Sequence, residues 1–259
     1  MIAPEKLRTY DPAPDSHRGR VVVVTGAGDG IGQAVALALA RQGATVGLLG
    51  RTLRKLERCY DRIVNAGGPK PALLPFNLET AAATEYEALH DALDKEFGRV
   101  DGLAHIAGIL GALAPIDHYD VPTWCKVLHV NLTASFLLTR TLLPLLRRSE
   151  DASIVFTSSG VARRGRAYWG AYSVSKFGTE GLMQVLADES ENTKVRVNSL
   201  NPGPVRTAMR LQAFPAEDRS KLAEPAGVTA PFLYLLGPEG HRINGMTFDC
   251  QAPAPPAQA

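Results

Sequence analysis

The sequence predicts an α/β fold: a single-domain, Rossmann-type doubly wound parallel sheet of about seven strands with helices on both faces. Three observations predict it. Short runs of β-branched and aliphatic residues alternate with helical patterns along the chain. The connections between successive runs are long enough to hold a crossover helix, which favours parallel pairing. The first run, Val21 to Thr25, leads into the spacing Gly26-x-x-x-Gly30-x-Gly32 and then into a helix. At 259 residues the chain suits one large domain, expected over 20–249, with an irregular arm over 1–19 and a flexible tail over 250–259.

Each element follows from its local pattern. Val21 to Val24 read as a strand buried on both faces. A helix is expected over 31–39, ended near Gly43, then a strand over 44–49 and a helix over 52–65 closed by Gly67-Gly68-Pro69. A third strand over 72–76, a helix over 80–97 and a fourth strand over 100–106 continue the alternation. The helix expected over 122–148 has only Lys126 and Arg140 as formal charges between Trp124 and Leu146. A helix that covers a sheet on one side shows a polar face. This one lacks it, so its second face is expected against a partner subunit; the other reading is a thickly covered helix in a monomer. A strand over 153–158, a helix over 170–192 and a strand over 194–200 come next. The broken, polar stretch over 207–224 reads as a substrate lid. A helix over 225–236 and a short strand over 246–248 complete the pattern, and no repeat of fixed period is visible.

Composition narrows the function classes. The 28 basic and 26 acidic residues leave a net charge of +2 with no run of one sign, so nothing points to nucleic acid. Cys59, Cys125 and Cys250 are far apart and lack metal-ligand spacing, so no metal is expected and the thiols read as those of a cytoplasmic protein. Residues 1–20 contain no signal-peptide core, and the uncharged stretch over 127–139 is too short to cross a bilayer. The sequon Asn131-Leu132-Thr133 is discounted because it falls within a predicted helix.

Two stretches carry chemistry. The glycine turn lets the backbone bend sharply, bring its N–H groups close to a pyrophosphate and aim a helix N-terminus at it. Tyr172 and Lys176 are four apart on a predicted helix and so leave the same face. A tyrosine of pKa about 10 is a poor base, and a neighbouring ammonium favours its phenolate. Ser159 ends a strand, where its hydroxyl can hold a carbonyl oxygen beside the phenol. Each stretch alone also has a plain structural reading; together, in this order on an α/β pattern, they point to acid–base chemistry on a nucleotide cofactor.

These pieces resemble the short-chain dehydrogenase/reductase family. Thr25-Gly26-x-x-x-Gly30-x-Gly32, Ala107-Gly108, Asn131, Ser159, Tyr172-x-x-x-Lys176 and Pro202-Gly203-x-x-x-Thr207 carry the resemblance, which covers about 20–249. GRAYWGAYSVSKF, GLMQVLADE, NPGPVRTAMR and GMTFD are similar to the YciK-type bacterial oxidoreductases. The resemblance implies a homodimeric or homotetrameric oxidoreductase acting on a small carbonyl or alcohol. It implies that Tyr172 exchanges a proton with the substrate oxygen, that Ser159 orients that oxygen, and that Lys176 holds the nicotinamide ribose and lowers the Tyr172 pKa. Asn131 would complete a proton relay, or only bond backbone; Thr207 would bond the carboxamide, or only cap the segment after it. Cofactor contacts are further implied for Gly26, Asp29, Gly30, Ile31, Gly32, Asn77, Leu78, Ala107, Gly108, Pro202, Gly203 and Val205.

Charge suggests which nicotinamide cofactor. An acidic residue after the second strand would bond the ribose 2′-hydroxyl and repel a 2′-phosphate. Here Gly50 is followed by Arg51, with Arg54 and Lys55 one turn on, so NADP(H) is favoured over NAD(H), although Asp29 in the glycine turn argues the other way. Two positions depart from the family. Ile106 stands where a polar residue ties the central strand to its neighbour, and Asn77 replaces an aspartate on the adenine side. They keep open a nucleotide-binding protein of this fold with little or no catalysis. Dehydratase or epimerase chemistry on the fold is the third reading. Arg163, Arg164 and Arg166, with Tyr168 and Trp169, are either a solvated loop or a greeting for an anionic or planar substrate. His105, His129 and Met209 read as packing or lid residues.

Overall fold

The computed structural model describes residues 3–252; most of the expected C-terminal tail, from 253 on, lies outside them. Seven strands form one all-parallel sheet: β1 (Val21–Thr25), β2 (Thr45–Gly50), β3 (Ala72–Pro75), β4 (Gly102–His105), β5 (Ala152–Thr157), β6 (Val195–Asn201) and β7 (Thr247–Asp249). Their order in space is β3-β2-β1-β4-β5-β6-β7. The chain runs outward in one direction from β1 to β3 and in the other from β4 to β7. The crevice beyond the carboxyl ends of β1 and β4 is therefore where such a sheet receives a ligand.

The two-residue period of β1 explains the two cores. Val22 and Val24 face α2 (Gly30–Arg41), α3 (Leu53–Asn65) and α9 (Ala230–Leu236), packing with Val35, Leu39, Leu56 and Phe232. Val23 faces the opposite way, toward α4 (Ala83–Phe97), α6 (Ala134–Leu146) and α7 (Gly170–Glu189), and shares its core with Leu138, Leu142, Phe156 and Met183. All five residues of β1 are buried, as an apolar strand covered on both faces requires.

Several boundaries differ from expectation for local reasons. The helix expected over 122–148 is continuous in direction but consists of α5 (Val121–Leu128), a π-helical segment (His129–Thr133) and α6. The helix expected from 80 starts at Ala83, where the Glu85 carboxylate accepts from the Ala82 N–H at 2.9 Å. The last expected helix is a 3₁₀ turn, Pro225–Val228, followed by α9, which has Pro231 in its first turn. Within 207–224 lie α8 (Ala208–Ala213) and a 3₁₀ turn, Arg219–Lys221.

The arm is not irregular throughout. Pro4–Arg8 form the short helix α1, which buries Leu7, and Tyr10 meets Tyr234 of α9 edge to face, with centroids 4.9 Å apart. A five-residue helix is too short to hold itself in water, so packing on α9 maintains it. His17 completes the attachment: its Nε2 lies 3.0 Å from the Leu233 carbonyl oxygen, and its backbone N–H donates to the Gln42 carbonyl at 2.9 Å.

Burial holds the His17 imidazole neutral, with its pKa pushed down from 6.5 to about 4. As pH falls, the unfolded chain takes up this proton first. Stability from the neutral ring is thus complete above pH 6.5 and is lost as pH falls through about 4, amounting to about 3 kcal/mol. Urea unfolding between pH 7 and 4 is expected to show this loss, and His17→Gln, which cannot charge, to flatten part of the slope.

Candidate active site

The site begins where β1 ends. Gly26 has φ of +69°, and a Cβ on it would stand 3.2 Å from the Ala107 backbone beyond β4. Gly32 is still more constrained: its Cβ would lie 2.3 Å from the Gly26 carbonyl oxygen, a distance that excludes any side chain. Asp29 caps α2, accepting from the Gly30 N–H at 2.8 Å, and its other carboxylate oxygen takes a bond from Lys55 at 2.6 Å. That ammonium helps hold the Asp29 carboxyl below its ordinary pKa. The negative charge that argued against a phosphate here is thus matched within the site.

Two cavities adjoin along the carboxyl edge of the sheet and share Gly26, Asp29 and Gly108. One, of about 330 Å³, is lined by Gly30, Ile31, Gly32, Ser159, Tyr172 and Lys176 together with Pro202, Gly203, Val205 and Thr207. The other, of about 300 Å³, is lined by Arg51, Lys55, Asn77, Leu78 and Ala107. Of the residues expected in the site, Asn131 alone lines neither cavity. Glu79, which sequence reasoning missed, receives Arg51 at 3.7 Å and Lys126 at 2.7 Å. The Asn77 side-chain oxygen accepts the Glu79 N–H at 3.2 Å and keeps a second lone pair.

Tyr172 and Lys176 lie one turn apart on α7, both buried. The Lys176 ammonium donates to the Thr157 carbonyl at the end of β5, at 2.6 Å, and stands 5.9 Å from the Tyr172 ring centroid. Burial pushes its pKa down to about 8, opposed by the Glu180 carboxylate one turn further along α7. The phenol departs from expectation. Burial raises the Tyr172 pKa, and the opposing influence is the neighbouring Ser159 hydroxyl, not the Lys176 charge, which is drawn toward Thr157.

Asn131 lies in the π segment and is fully engaged. Its side-chain oxygen accepts the Ile109 N–H at 2.8 Å, and its amide donates to the Ile109 carbonyl at 2.9 Å and to the Ser175 hydroxyl at 3.0 Å. Its own carbonyl accepts from Ser135 at 3.1 Å. It therefore bonds backbone, but of the loop after β4 and not of its own helix, and it ties that loop to α7. Thr207 caps α8 by accepting the Arg210 N–H at 3.2 Å while also lining the first cavity.

The support that Ile106 cannot give comes from Thr25. Its hydroxyl donates to the Ala104 carbonyl at 3.2 Å and accepts the N–H groups of Ile106 at 2.9 Å and Ala107 at 3.0 Å. The only sequence signal for this role was a hydroxyl at the end of β1. His105 packs as expected: it stacks on Phe156 at 4.6 Å, bonds Thr139 at 2.8 Å, and is kept neutral by burial and by the Lys176 charge, with its pKa pushed down to about 3. Among the described residues no three His, Cys, Asp or Glu are grouped to hold a metal, and no helix is long and apolar enough to cross a membrane.

The sequence profile of the short chain dehydrogenase family matches residues 20–218. The chain is 46% identical over 242 residues to the uncharacterized oxidoreductase YciK of Escherichia coli K12, covering 93% of this chain and 96% of the relative. It is 32% identical to D-threitol dehydrogenase of Mycolicibacterium smegmatis, covering 88% and 89% of the two chains. The crystal structure of E. coli YciK superposes with a TM-score of 0.92 at 46% identity, over 94% of this chain and all (100%) of that one. A chain from E. coli CFT073 complexed with NADPH gives 0.91 at 46% identity, over 93% and 100%.

Thr25→Val keeps the shape of the side chain and leaves the partly buried N–H groups of Ile106 and Ala107 without their acceptor. It is expected to cost about 1–3 kcal/mol in urea unfolding, the penalty of leaving those donors unsatisfied where water reaches them only in part.

Proposed function

Because the chain belongs to the short chain dehydrogenase family, we propose that it is an NADP(H)-preferring oxidoreductase that transfers a hydride between the nicotinamide and a carbonyl or alcohol substrate. The observation that carries this reading is the convergence of Ser159, Tyr172 and Lys176 on one cavity with the glycine turn, where a Cβ on Gly32 would lie 2.3 Å from the Gly26 carbonyl oxygen. The backbone at Gly26, Gly30, Ile31 and Gly32 suits a pyrophosphate, which would lie against the start of α2. Arg51 would meet the 2′-phosphate, with Lys55 balancing Asp29. Asn77 and Leu78 would border the adenine, Ala107 and Gly108 the middle of the cofactor, and Pro202, Gly203, Val205 and Thr207 the carboxamide. When bound, NADP(H) supplies or receives the hydride.

The chain's own residues handle the proton. Ser159 holds the substrate oxygen beside the Tyr172 phenol, which donates its proton to that oxygen in reduction and accepts it in oxidation. A phenol kept protonated by burial is ready to act as the acid. Lys176 would turn its ammonium from the Thr157 carbonyl to the ribose hydroxyls, and its charge would then favour the phenolate. Asn131 acts by position, holding the loop after β4 against α7. A relative complexed with NADPH supports the choice of cofactor.

We also infer a homo-oligomer in the cytoplasm. Val174, Phe177 and Val185 follow one side of α7 and are 45–58% exposed, and Phe136 of α6 is 46% exposed. An apolar stripe of this kind is suited to a symmetric contact with a second copy. Cys59, Cys125 and Cys250 are unpaired, as in a reducing compartment.

Titration of the protein with NADPH and NADH, followed by a panel of ketones and aldehydes, tests the assignment. NADPH should bind more tightly, and Arg51→Ala should remove most of that preference. Tyr172→Phe should lower kcat by about 10²–10⁴-fold with NADPH affinity retained. Cofactor binding without turnover across the panel would favour the nucleotide-binding protein that lacks catalysis. Light scattering should report a dimer or tetramer, and Phe177→Asp with Val185→Asp should shift it toward monomer.

A further inference from the structure

A third cavity, of about 620 Å³, opens beside Ser159. Arg164, Arg166 and Arg210 line it, with Trp169 and Phe214, and no acidic side chain does. The three guanidinium groups are not equivalent. Arg210 is forked onto the Glu217 carboxylate at 2.6 and 2.5 Å, so its charge is matched. Neighbouring Arg163 is bound to Asp249 at 2.8 Å. Arg164 and Arg166 make no ion pair among the described residues.

Arg166 nevertheless has aromatic neighbours. Its guanidinium carbon lies 5.9 Å from the Trp169 ring centroid and 5.6 Å from that of Phe214, and Arg210 stacks on the same phenyl ring at 3.9 Å. A cation–π contact of this kind holds a guanidinium near the rings while leaving its N–H donors free for a planar oxyanion. The loop beneath is anchored through the Ala114 N–H on the Tyr168 carbonyl at 3.1 Å and the Ser173 hydroxyl on the Val161 carbonyl at 2.8 Å. Tyr168 is held at φ of +72°, a conformation a bulky residue rarely adopts. Trp169 borders both this cavity and the one containing Tyr172, and its ring meets the phenol at 5.8 Å.

We propose that this cavity is a substrate subsite for an oxyanion, a carboxylate or a phosphate, bound by Arg164 and Arg166 while the adjoining planar part of the substrate lies against Trp169. The inference rests on the oxidoreductase reading and adds to it the substrate class: an oxo or hydroxy compound bearing an acidic group. Arg164 and Arg166 act as specificity residues, and the reacting oxygen remains with Ser159 and Tyr172.

Calorimetry on the full chain saturated with NADP⁺ tests it, using 3-benzoylpropionate against its methyl ester and phenacyl phosphate against phenacyl alcohol. At least one anion should bind about tenfold or more tightly than its neutral counterpart, as a charge-assisted hydrogen bond predicts. The pair with the larger ratio identifies the oxyanion. In R164Q/R166Q, with native folding checked by circular dichroism, that ratio should fall to about one. Equal binding of acid and neutral compound by the unaltered protein, or an anion preference that survives in the double variant, would overturn the subsite. Failure of NADP⁺ to bind would instead strike the oxidoreductase reading, and the same titrations without nucleotide would still measure the anion preference.

Discussion

The crevice depends on one steric condition: nothing larger than hydrogen fits between Gly32 and the Gly26 carbonyl. Because α2 can close to that distance, its first turn sits directly above the end of β1. The Gly26 turn can then approach Ala107 beyond β4. The point where strand order reverses is thus also the point of closest backbone approach, and the two cavities meet there. A side chain at either glycine would push apart the two walls between which every other site residue is placed.

Much of this was legible before the fold was known, for identifiable reasons. The valine run, the glycine spacing and the Tyr172–Lys176 interval are local patterns, and local patterns survive in a sequence. The residues that were missed or misjudged act across the fold. Thr25 bonds groups about eighty positions away, Glu79 gathers cations from α3's approach and from α5, and Asn131 meets Ile109 and Ser175 from a third element. The attachment of the arm was illegible for the same reason. α1 is too short to show a period, and Leu7 has meaning only against α9.

The electrostatics show a similar division. Tyrosine and lysine at that spacing suggested a lowered phenol pKa, whereas burial dominates both groups and drives them apart, the phenol up and the ammonium down. Lys176 in turn helps keep His105 neutral in the next strand. The ring of His105 is thus a packing element whose chemistry is suppressed by its neighbour, consistent with its stacking on Phe156. On the other side of the crevice, Asp29 with Lys55 and Arg51 with Glu79 and Lys126 form pairs near solvent, where charges can exchange partners at small cost.

The π segment has a consequence for helix phase. An α-helix advances about 100° per residue, so a turn that takes one extra residue rotates everything after it by that amount relative to everything before. Val127 of α5 therefore packs toward Tyr119 and Ala171 while Leu138 and Leu142 of α6 still meet the sheet, and Asn131 between them reaches the loop after β4. Deletion of a single residue from 129–133 would give a more regular helix and would turn one of those two apolar faces out of its seat.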